Sequence, residues 1–147
     1  MKSNRLNILR TLQLIWAYFI GIGALVGFIM MIYDPTGKTF QMDPLLPLLR
    51  NAFPFVSGLF NNFICSAFVL LTVNGLTNAV SIVLMHKHNK YEALSALACG
   101  IILMLWISVE FYVWGFAALS IIYGIFALLQ ILNAILFIKE KSKIQKS

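Results

Sequence analysis

The stretch 55–85, FVSGLFNNFICSAFVLLTVNGLTNAVSIVLM, decides how this chain must fold. It carries no charged side chain, yet Asn61, Asn62, Asn74 and Asn78 interrupt its apolar run. Amide side chains are costly against lipid tails, so the segment must set them against other helices. Fully helical, it would be about 46 Å long against about 30 Å of hydrocarbon, and must therefore tilt, kink or project beyond the bilayer. At about 100° per residue, Asn61, Cys65, Thr72 and Gly75 fall on one face, and Asn74, Asn78 and Ser81 fall nearly opposite. A helix with two such faces requires neighbours on both sides.

The rest of the chain agrees with a membrane setting. Of its 147 residues 61% are hydrophobic, and the mean hydropathy is +0.88, far above that of a soluble domain. The formal charge of +6 does not indicate nucleic acid, because the basic residues lie between and beyond apolar runs instead of forming one basic face. Cys65 and Cys99 both sit inside apolar segments and read as small buried residues, not as a disulfide framework or a paired-cysteine metal site.

Span one, residues 12–33, is uncharged and long enough to cross. It begins after Lys2, Arg5 and Arg10 like a signal peptide, but runs unbroken to Tyr33 and is expected to be retained. Gly23 with Gly27, and Ala17 with Gly21, form small-xxx-small pairs that allow a close neighbour. Asp34-Pro35-Thr36-Gly37 then predicts a turn. In the remainder of the loop 34–54, Asp43 as N-cap and Pro44 at N1 favour a short helix at the interface over an irregular loop. The segment 55–85 is span two, and residues 93–113 are span three. The run 117–138 is span four, turned back on span three by a tight hairpin near Gly115. In span four, Ser120, Tyr123, Gly124, Ala127 and Gln130 make a small, polar stripe that should face the bundle.

Nine Lys and Arg lie before span one, between spans two and three, and in the tail 139–147, against Lys38 and Arg50 in the first loop. That asymmetry predicts both termini in the cytoplasm and residues 34–54 outside. The expected fold is a single all-α domain of four transmembrane helices in the plasma membrane. Its tail lysines should favour anionic headgroups by about 1 kcal/mol each near the surface.

Asp34-Pro35-Thr36-Gly37, Pro54-Phe55, Val73-Asn74-Gly75-Leu76, and Trp106-Ile107 with a polar residue at 110 give the chain a resemblance to a group of small, mostly uncharacterised bacterial four-helix membrane proteins. The resemblance implies the four-span layout and no activity. That group commonly carries glutamine where this chain has Glu110.

Glu110 lies about 26 Å along span three, near the outer boundary and among Trp106, Phe111, Tyr112 and Trp114. A carboxylate there needs a cation or several donors, which makes Arg50 its expected partner and Lys38 the second choice, beside Asn61 and Asn62. The candidate binding residues are Glu110, Arg50, Asn61, Asn74, Asn78, Trp106, Tyr123 and Gln130. For the amides, plain helix-to-helix hydrogen bonding at about 0.6 kcal/mol each is favoured over a binding role. His86 and His88 lack co-ligands, so no metal is assigned, and no cofactor is expected. The chain has no His-Glu-x-x-His, Gly-x-Ser-x-Gly or Cys-x-x-Cys, which argues against an enzyme. It reads as an accessory or partner-binding subunit, or a small-molecule binder, alone, as a homo-oligomer or beside a larger membrane protein. The alternative is an oligomeric transporter or channel component.

Overall fold

Length and apolarity alone make four of the helices able to cross a membrane: 4–33, 64–86, 92–114 and 118–144. The computed structural model describes residues 2–145, all of whose regular structure is helical. In order, α1 is Lys2–Tyr33, α2 is Leu45–Ala52, α3 is Ile64–Leu70, α4 is Thr77–His86, α5 is Glu92–Trp114 and α6 is Ala118–Gln145. Helices α3 and α4 are two parts of one span, joined through a wider π turn at Leu71–Leu76.

That turn has a local cause. Thr72 donates its hydroxyl to the Phe68 carbonyl at 2.8 Å, Thr77 to Val73 at 2.6 Å, and the Asn78 amide to Asn74 at 2.7 Å. Three side chains thus compete for carbonyls that the backbone would use, which loosens the helical ladder by one residue. Span two is also shorter than its apolar run. Pro54–Phe60 forms a separate 3-10 turn and the span begins only at Ile64, because a proline has no N–H to join the helix and Val56 leaves helical angles. The span therefore needs no great tilt.

The four spans form a square. Helix α1 packs against α6 on one side and span two on the other, and α5 joins span two to α6. The α5–α6 reversal rests on Gly115, whose φ of +74° and ψ of −162° lie where only glycine is at ease. The expected Asp34 turn forms, with Gly37 N–H donating to the Asp34 carbonyl at 3.0 Å. At α2 the Asp43 side chain makes no cap bond, contrary to expectation; its backbone carbonyl meets Leu46 N–H instead.

Only 17% to 28% of each span's most apolar window is buried inside the bundle. Ile15, Phe19, Leu105, Leu128 and Leu132 all point outward, an apolar surface of the kind that suits a lipid environment. Inside, apolar layers occupy three levels. Leu9, Ala93 and Phe137 lie at the end rich in Lys and Arg. Ile20, Leu103, Ile107 and Ala127 lie midway, and Leu46, Leu49, Phe63 and Val113 at the far end.

Candidate functional site

Polar side chains stand at three levels within this square. At the basic end, Glu92 opens α5 and is 1% exposed. Arg10 of α1 grips both its oxygens, Nε to Oε2 at 2.8 Å and a terminal nitrogen to Oε1 at 2.9 Å. Lys141 of α6 donates to Oε1 at 2.7 Å and to the Asn89 carbonyl at 2.9 Å. The Arg10 guanidinium also lies 5.7 Å over the Phe137 ring. A carboxylate in the first turn of a helix already meets favourable backbone N–H groups, and the two cations complete its solvation. By sequence alone Glu92 closes the polar link HKHNKYE at 86–92 between spans two and three and reads as solvated. The correction is that one carboxylate ties three helices together, through partners too distant in sequence for any local rule to reveal.

Toward the middle the groups are neutral. Gln13 is fully buried and donates its amide to the Gln130 backbone carbonyl at 2.9 Å. Asn133 reaches the Leu9 carbonyl at 3.1 Å, and the Ser81 and Ser95 hydroxyls meet at 3.1 Å. Asn74 and Asn78 are 2% and 1% exposed, on the face of span two that the helical spacing predicts to be polar. Asn78 lies beside α1 where that helix has Gly21; a β-carbon there would stand 3.5 Å from its own. The oxygens of Gln13, Asn74 and Asn78, and both polar atoms of the Gln130 side chain, have no hydrogen-bond partner among the described residues. Because the Gln13 and Asn78 nitrogens are engaged on carbonyls, the free atoms of those two are oxygens and not misassigned nitrogens. Gln13 was not among the expected site residues, although a glutamine inside span one is the same kind of signal as Asn74.

At the far end, Glu110 receives the Trp106 indole N–H at 2.6 Å and the Ser120 hydroxyl at 2.6 Å. Ser120 in turn accepts from the Trp114 indole at 3.4 Å. Tyr123, one turn along α6 from Ser120, sets its hydroxyl against α1, 3.1 Å from where a β-carbon on Gly23 would stand. The expected Arg50 partnership does not form, nor the one with Lys38. Arg50 is exposed on the outer side of α2, lining a shallow hollow with Pro47, Asn51, Pro54 and Ser57. The inner side of α2 is taken by Leu46 and Leu49, which pack near Val113 and turn the arginine away. Asn61 is exposed outside the helical part of span two, and Asn62 caps its own chain by accepting from Ile64 N–H at 3.0 Å.

Of the eight expected site residues, the fold brings Glu110, Trp106 and Tyr123 to one level of the bundle. It turns Asn74, Asn78 and Gln130 inward nearer the middle, and leaves Arg50 and Asn61 outside. Comparison with protein-family models, with curated proteins and with solved structures finds no match to this chain.

Proposed function

We propose that this is a non-enzymatic integral membrane protein that holds a small, donor-rich polar molecule or cation between its helices. The carrying observation is the Gln130 side chain, 1% exposed and without a partner on either polar atom, together with three similarly placed oxygens from Gln13, Asn74 and Asn78. Buried amides left in this state cost about 1–3 kcal/mol each. Gln130 offers one acceptor oxygen and one donor, and the free oxygens of Gln13, Asn74 and Asn78 add acceptors at other heights of the interior, so a guest there mostly donates. These groups point inward, which favours a small guest over a protein partner docked on the lipid-facing side. In this reading the basic end is cytoplasmic by the excess of Lys and Arg, and α2 lies at the outer interface.

The test is Gln130→Leu. An amide with only a structural role is replaced by a similar apolar volume at little or no cost. With a guest, the variant should melt lower than the parent in native-lipid nanodiscs and lose the stabilisation that ammonium, guanidinium or a monovalent metal ion gives the parent. Equal or higher stability, with no ligand effect in either protein, would refute the proposal.

A second reading, passage across the membrane, is favoured by one specific feature. Polar groups recur along the bundle from Glu92 through Ser81, Gln130 and Asn74 to Glu110. Flux of the same cations into liposomes holding the purified protein would separate transport from binding.

A further inference from the structure

Outside the polar interior, α1 and span two are parted by a groove of about 410 Å³, lined among others by Tyr18, Gly21, Leu25, Thr72, Gly75 and Ile82. It runs along the π turn of span two at Leu71–Leu76 and past Gly21 and Gly75. From Leu71 to Ile82 the groove runs about 16 Å along the helix, close to the roughly 15 Å of hydrocarbon in one leaflet. It straddles the middle of the span and extends toward the basic end, where Ile82 is one turn from His86.

At that end the lining changes character. The Tyr18 hydroxyl closes the groove by meeting His86 Nε2 at 3.0 Å, and His86 leads into exposed Lys87, His88 and Lys90. The acids of this end do not neutralise them. Glu92 is buried against Arg10 and Lys141, and Glu140 is buried with Lys143 at 3.8 Å. An apolar channel one leaflet long, ending in a polar pair beside uncompensated cations, has the form of a lipid with a negative head.

We propose that this groove binds one acyl chain of an anionic glycerophospholipid, with the phosphate held at Tyr18, His86 and Lys87. The proposal is independent of the interior site. The phosphate meets a phenol, an imidazole and an ammonium, the chain fills the space beside Gly75, and the second acyl chain stays in bulk lipid.

The test is lipid retention by the full chain in detergent, read by native mass spectrometry after exchange into phosphatidylglycerol, phosphatidylcholine with the same acyl chains, or glycerophosphate alone. Phosphatidylglycerol should be retained at least tenfold over phosphatidylcholine, and glycerophosphate, which has no chain, should not bind. Ala79→Phe, on the exposed rim of the groove, should abolish retention of both lipids while leaving the melting temperature in detergent unchanged. His86→Ala combined with Lys87→Gln should remove the preference for the negative head and keep the weaker retention. Equal retention of the two lipids by the parent would overturn the proposal. So would binding of glycerophosphate, which would mark a simple anion site, or a parent dimer that Ala79→Phe dissociates, which would mark a contact between copies.

Discussion

At the residue scale the deciding quantity is whether a buried polar group has its partners. Glu92 has them, and its removal should be felt beyond α5: Glu92→Gln leaves Arg10 and Lys141 facing each other and should cost about 3 kcal/mol in a denaturant titration in mixed micelles. The same change made with Arg10→Gln already present should cost less. At the far end Ser120→Ala strips one donor from Glu110 and should cost about 1–3 kcal/mol, whereas Arg50→Gln, on an exposed arginine, should stay within about 0.5 kcal/mol. Asp34 is a third case. The Thr39 N–H, followed by the Thr36 hydroxyl, holds its carboxyl well below the ordinary carboxylate range. A carboxylate depressed on folding contributes stability that is present above its unfolded value of about 3.9 and lost as pH falls through the lower folded value. A carbon-13 titration of Asp34 should therefore give a midpoint below about 3.9, and the Thr36→Ala variant should move it upward.

At the scale of the element, span two is set apart by an irregularity. The π turn inserts one residue into the helix, so removing one residue from inside it should restore regular geometry and keep the faces of α3 and α4 in place. Deleting the exposed Leu76 should leave the melting temperature within a few degrees of the parent. Deleting Val80, equally exposed but in regular α4, rotates the following residues by about 100° and should carry Ser81 and Met85 out of the bundle. A large loss of stability for the Leu76 deletion, equal to that for Val80, would show that the turn absorbs nothing.

For the whole molecule, all four spans are long and apolar enough to cross a bilayer, and the arrangement of charge predicts which way the chain is threaded. In a background lacking Cys65 and Cys99, a cysteine at position 40 should react with an impermeant reagent on intact cells. Cysteines at 89 and 145 should react only after permeabilisation. Labelling at 89 from outside would reverse the orientation and with it the leaflet assigned to the lipid groove.

What the sequence determined by itself is what depends on summed or local properties. Runs of apolar residues long enough to cross required four spanning helices, because a bilayer core satisfies backbone groups only within a helix or closed barrel. Local chemistry likewise placed the turns at Asp34 and Gly115. Helical spacing alone turned Asn74, Asn78, Ser120 and Gln130 inward. The tertiary structure decided everything that depends on which helices are neighbours. Arg50 was the nearest charge by chain logic to complement Glu110, but α2 buries its leucine side and faces the arginine outward, so two donors from α5 and α6 complete the carboxyl instead. Glu92 looked like loop chemistry until α1 and α6 brought Arg10 and Lys141 to it across 82 and 49 residues of chain. The packing of helices is set by shape and by the need to satisfy buried groups together, and neither is written in any single window of the sequence.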